Sequence, residues 1–159
     1  MTKTKSDGRG GANQGAEEGA EEAGIWMLVF GAWLIATAST LGALFFGEVM
    51  KLPPCSLCWY QRIFMFPLML ILPFGLFPLN RTVVRSVLPL VGIGGLLAGV
   101  HVLLVAGIIP ERIAPCQQGV PCSETVIVWF GFVTIPLLSF MAFATIAVLL
   151  SLALIRSSR

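Results

Sequence analysis

The four cysteines of this chain fall into two close pairs, and their spacing is the first chemistry on offer. One pair is Cys55-Ser56-Leu57-Cys58; the other is Cys116 and Cys122, enclosing Gln-Gln-Gly-Val-Pro. A disulfide across two intervening residues closes a loop too small to restrain much chain entropy, so it makes a poor staple. The C-x-x-C spacing instead suits a disulfide that opens and recloses with little backbone movement, which is redox chemistry. The wider second pair serves equally well as a loop staple. A four-cysteine zinc site is a competing use of the same residues, and it fits poorly in a compartment that oxidises thiols. No metal is expected.

Two further residues stand in register with these pairs. Pro53-Pro54 blocks a helix upstream of Cys58, so a helix begins near that cysteine, where the backbone dipole favours a thiolate. Arg62 follows four residues later, one turn away on the same face, where a cation lowers a thiol pKa further or holds an anionic acceptor. The plainer use of Arg62 is an interfacial side chain snorkelling to lipid headgroups. His101 is the only histidine, and it lies inside an apolar run, about 13 Å inward from Pro110 at 1.5 Å per residue. An ionisable group at such depth is a functional candidate, able to move a proton or to hydrogen-bond a carbonyl oxygen. A neutral histidine bonded to a neighbouring helix is the ordinary alternative.

The elements that must position these residues follow from composition. Of 159 residues, 57% are hydrophobic and 11% are charged. An ordinary soluble domain has about 25% charged residues. This excludes a soluble globule, a nucleic-acid binder and a disordered chain. Four uncharged runs carry the apolar residues: Ile25 to Gly47, Ile63 to Asn80, Ser86 to Pro110 and Thr125 to Ile155. A membrane helix needs ~20 apolar residues, and the second run reaches that length if its helix starts near Cys58. Alternation with a period of two is missing, so a membrane barrel does not fit. The fold class is all-α, an integral membrane bundle of four helices spanning 25–159 with two cysteine-bearing loops outside the cytoplasm. The last run exceeds what one span requires, so part of Val126 to Phe132 has room to lie at the interface. Gly95 and Gly99 form a small-residue face suited to close helix packing.

Residues 1–24 differ in kind, being rich in glycine, alanine and paired glutamates, and are expected to form a disordered cytoplasmic tail. Ala36-Thr37-Ala38 resembles a signal-peptide cleavage site, but the preceding flank is acidic and the apolar run continues past it, so an uncleaved first helix is expected. Arg81 and Arg85 flank the tight turn Leu79-Asn80-Arg81, and Arg156 and Arg159 follow the last run. Lys51, Arg62 and Arg112 lie on the opposite side. This bias puts both termini in the cytoplasm and the cysteine loops outside the cell membrane, where thiols are oxidised.

A dithiol that cycles must send two electrons somewhere. Gly92-Ile93-Gly94-Gly95 lies inside a membrane helix rather than after a strand, so it is no dinucleotide fingerprint. Trp59 follows Cys58, so no haem-attachment motif is present. The acceptor available to a membrane-embedded dithiol is a lipid-soluble quinone, met by Cys58, Arg62 and His101 near the outer interface.

The run Pro-Pro-Cys-Ser-Leu-Cys-Trp-Tyr-Gln-Arg at 53–62, the lone His101, and Pro-Cys…Pro-Cys-Ser ahead of Trp-Phe-Gly-Phe resemble the DsbB/BdbC disulfide bond formation family. The resemblance runs from about Ile25 onward. It implies a thiol:quinone oxidoreductase that recharges an extracytoplasmic thioredoxin-fold thiol oxidase, of the DsbA/BdbD kind, and passes electrons to ubiquinone or menaquinone. On that likeness Cys116 takes the partner's thiol, Cys122 completes the outer disulfide, Cys55 relays, and Cys58 faces the quinone with Arg62 and His101. The five residues between Cys116 and Cys122 make a shorter loop than the better-known DsbB proteins have, and are similar to BdbC-type members. Two other readings compete. A vitamin K epoxide reductase-like enzyme usually carries its C-x-x-C late in the chain, whereas this pair is early. A non-enzymatic scaffold with stapled loops would keep its disulfides closed in thiol-trapping experiments.

Overall fold

The structure is a computed structural model and describes residues 8–51, 54–110, 128–129 and 133–158. Four helices carry it: α1 (Gly8–Leu44), continued by a π-helical segment at Phe45–Val49, α2 (Ser56–Leu76), α3 (Arg81–Val105) and α4 (Ile135–Arg156). Each has a stretch long and apolar enough to cross a membrane, of 33, 21, 25 and 22 residues in chain order. This is the expected all-α membrane bundle, a multi-pass architecture. α1 packs on α2 and α4, and α3 on the same two, so the helices close a ring around one core.

The core follows from helical spacing. Val29, Ala32 and Ala36 of α1 and Met65, Leu68, Leu72 and Leu76 of α2 join one buried cluster. Val84, Val87, Val91 and Ala98 of α3 and Phe143, Ile146, Leu150 and Ala153 of α4 belong to the same cluster. Steps of three and four residues keep each set on one stripe. The opposite faces expose Leu70, Phe74, Leu96 and Val148, as a lipid-facing surface requires. Between α3 and α4 the decisive residue is Gly94, because a Cβ there would run into the Phe143 ring. The small-residue face expected at Gly95 and Gly99 does meet α4, at Phe143 and Phe140 respectively.

Helix boundaries have local causes. Cys55, extended at φ −66° and ψ 165°, caps α2, so that helix starts slightly earlier than Cys58. Asn80 caps α3 by accepting the Thr82 and Val83 N–H groups at 3.0 and 3.4 Å, within the expected turn. Pro73 inside α2 has no N–H to give the Met69 carbonyl one turn back, and the Trp33 indole N–H of α1 donates to that carbonyl at 3.1 Å. A helix-breaking residue thereby becomes a bond between two helices.

One expectation changes. The segment expected to be a disordered tail is helical from Gly8, with Glu17, Glu18, Glu21 and Glu22 exposed beyond the core that begins at Ile25. Alanine and glutamate are strong helix formers, and a helix already nucleated by its membrane span elongates at little cost. The long last run is divided: Val128–Trp129 pairs antiparallel with Val133–Thr134, and α4 starts only at Ile135, with a proline in its first turn.

Candidate functional site

Three helix ends meet at one end of the bundle: the start of α2, the end of α3 and the π-helical end of α1. Backbone N–H groups at a helix start favour an anion, and carbonyls at a helix end favour a cation. The cysteine pair sits at the α2 start, His101 lies one turn inside the α3 end, and Arg62 reaches the α1 end. Charge preference and residue type agree at all three.

The Cys55 and Cys58 sulfurs are 2.7 Å apart, with both thiols free. Cys55 Sγ accepts the Cys58 backbone N–H at 3.3 Å and lies 3.8 Å from His101 Nε2. Cys55, Leu57 and Leu104 form a small buried cluster, with Cys58 packed against it and half-buried. The hydrogen bond from the Cys58 thiol is the main influence holding the Cys55 thiol well below its usual pKa; the contacts with His101 and with the Cys58 N–H act the same way, against burial. The sequence places the thiolate at Cys58. In the structure the anion-favouring contacts converge on Cys55, because the capping position aims its sulfur at the exposed N–H of the first turn.

His101 is 2% exposed, and its Nδ1 lies 3.0 Å from the amide nitrogen of Gln61, itself 6% exposed. Gln61 is the candidate that motif reading passes over. Its signal is positional: α2 buries Leu57, Met65, Leu68 and Leu72, and Gln61 is the polar residue on that stripe. A buried amide needs partners, and the helix face points it at α3.

Arg62 is anchored on the α1 side of the pair. Its Nη2 donates to the Ala43 carbonyl at 2.9 Å, and its guanidinium lies 5.6 Å from the centre of the Trp59 ring. Gly47 makes room for it, since a Cβ there would stand 3.2 Å from Nη1. Among the described residues no hydrogen bond joins Arg62 to either sulfur. The structure thus brings Cys55, Cys58 and His101 together, with Arg62 beside them on the α1 side. Cys116 and Cys122 lie outside the described residues.

Together these groups form a redox-capable dithiol with a histidine on its buried side. On its open side stand the exposed Trp59 and Ile63 and the anchored cation of Arg62.

A sequence profile described as "Disulfide bond formation protein DsbB" matches residues 23–153. The chain is 51% identical over 126 residues to a "Probable disulfide formation protein" of Metapseudomonas resinovorans, covering 79% of this chain and 88% of that one. It is 43% identical over 128 residues to "Disulfide bond formation protein C" of Bacillus subtilis (strain 168), covering 79% and 91%. A "Probable disulfide formation protein C" of Halalkalibacterium halodurans is 42% identical over 129 residues, covering 81% and 93%. No solved structure matches the chain.

Proposed function

The chain belongs to the DsbB family of disulfide bond formation proteins, and from that premise we propose that it is a thiol:quinone oxidoreductase of the cell membrane. Its role is to reoxidise an extracytoplasmic thioredoxin-fold thiol oxidase of the DsbA/BdbD kind, sustaining disulfide formation in exported proteins. The observation that carries this is the Cys55–Cys58 pair at a helix start, with His101 at 3.8 Å and an open apolar face beside Arg62. Both termini face the cytoplasm, and both cysteine loops face outward.

The partner's dithiol attacks the Cys116–Cys122 disulfide at Cys116 and leaves oxidised, so the outer pair gains two electrons and two protons. The outer dithiol then attacks the Cys55–Cys58 disulfide through Cys55, closing again as the inner pair opens. The capping N–H of Cys58 and the neighbouring His101 stabilise the Cys55 thiolate between these exchanges. Trp59, Ile63 and Arg62 line the face where a quinone would be held, Arg62 offering N–H donors from a head already fixed to Ala43. A bound quinone, ubiquinone or menaquinone, supplies the sink for two electrons and two protons. Gln61 holds the His101 ring in place, and the buried side of the pair excludes water.

The test is quinone reduction by the purified protein, driven by a reduced thioredoxin-fold partner and followed by quinone absorbance. Stoichiometric loss of quinone with oxidation of the partner is expected. A chain with both cysteine pairs intact that passes no electrons overturns the proposal.

A further inference from the structure

The sulfurs of Cys55 and Cys58 and a ring nitrogen of His101 all lie within 4.8 Å of one another. We propose that, when the pair is reduced, these three residues form a binding site for a thiophilic divalent cation of the zinc class. The donor set is two thiolates and one imidazole, which zinc takes in tetrahedral sites. It differs from the four-cysteine set weighed from sequence, because the third donor comes from α3 and only the packing of α2 on α3 brings it in.

The geometry is close to that of a bound ion. Zn–S bonds of about 2.3 Å set two sulfurs roughly 3.8 Å apart in a tetrahedron. The Cys55–His101 separation is already 3.8 Å, and the two sulfurs, 2.7 Å apart, need to part by a rotation of the half-buried Cys58 side chain. The outer contact is present as well: the Gln61 amide meets His101 Nδ1 at 3.0 Å. With its oxygen turned to Nδ1, Gln61 accepts the ring proton there and leaves the Nε2 lone pair aimed at the Cys55 sulfur. Cys58 and the exposed Trp59 border the open side, which supplies an entry path and room for a fourth ligand.

Binding forms metal–sulfur and metal–nitrogen bonds, releases thiol protons to solvent and moves no electrons. The closed disulfide offers no thiolate, so the site exists only in the reduced state. A cation there occupies the dithiol that must otherwise deliver its electrons, and turnover stops until the metal leaves. The inference takes from the proposed function only that this pair opens and closes.

The experiment uses the full chain in detergent with Cys116→Ser and Cys122→Ser, which removes the outer pair as a source of ligands. The protein is reduced, freed of reductant without oxygen, and titrated with Zn2+ against a chromophoric chelator. One zinc per chain is expected, with both remaining thiols shielded from alkylation and none bound after oxidation. Gln61→Leu should weaken binding about 10–100-fold, and His101→Ala more than that. Co2+ in place of Zn2+ should give the visible bands of a tetrahedral thiolate site in the chain with His101 and Gln61 intact, a readout that needs no replacement at the site. Absence of those bands, unchanged affinity in a folded His101→Ala variant, or zinc uptake only when Cys116 and Cys122 are present overturns the inference. Neither partner nor quinone enters the assay, so a zinc-binding chain that reduces no quinone and an oxidase that binds no zinc are distinct results.

Discussion

Replacing Gln61 and His101 singly and together tests whether their contact is a stabilising pair within the site. The two side chains are 6% and 2% exposed and lie 3.0 Å apart, so neither gains water when the other is removed. Gln61→Leu keeps the shape and takes away a buried hydrogen-bond partner of Nδ1, a loss of about 1–3 kcal/mol. At 1.4 kcal/mol per tenfold, that is a change of about 5- to 150-fold in the folding equilibrium. His101→Leu leaves the Gln61 amide in the same position. The double variant removes both polar groups and should be less destabilised than the sum of the singles, by about 1 kcal/mol or more. Reversible unfolding in mixed micelles, followed by circular dichroism, measures all four corners of the cycle. Additivity within about 0.5 kcal/mol would show that the two side chains do not act as a pair, and the positioning role of Gln61 would fall with it.

Arg62→Ala removes a charged hydrogen bond to Ala43 and a stacking contact on Trp59, so stability should drop by about 1.5–3 kcal/mol and quinone turnover should slow. Arg62→Lys should rescue only in part, lacking the planar fork, and unchanged unfolding and kinetics in Arg62→Ala would return the residue to a headgroup anchor. Gly94→Ala should cost about 1–3 kcal/mol by forcing Phe143 aside, whereas Gly92→Ala, with open space at its Cβ, should be neutral or slightly stabilising; equal melting temperatures for the two would refute the close α3–α4 contact. In Cys122→Ser, Cys116 can still bridge to Cys55; a partner thiolate that attacks this bridge at Cys116 releases the Cys55 thiolate and meets no Cys122 to displace it. A covalent partner adduct should therefore accumulate on non-reducing gels and vanish with Cys116→Ser added; an adduct that persists without Cys116 and needs Cys55 would reverse the proposed relay.

The membrane class, the number of spans, the turn at Asn80 and the close spacing of Cys55 and Cys58 are legible in the order of residues alone, because each depends on local order. Apolar runs set spans by length, a proline pair and a capping residue set the α2 start, and two intervening residues keep the first two cysteines within one turn. Helical register also put Arg62 one turn from Cys58. Register does not say where a long flexible side chain ends, and the guanidinium goes to the Ala43 carbonyl near the end of α1, with Gly47 leaving the space. The preference for a thiolate at Cys55 required the actual capping geometry and a neighbour 46 positions away in sequence. Gln61 acquires its meaning the same way: on one helix it is a polar residue out of place, and only the packing of α2 against α3 supplies the histidine that explains it. Local pattern encodes which elements exist, whereas the pairing of their ends depends on how four stripes close on one core, which no single stretch of chain contains.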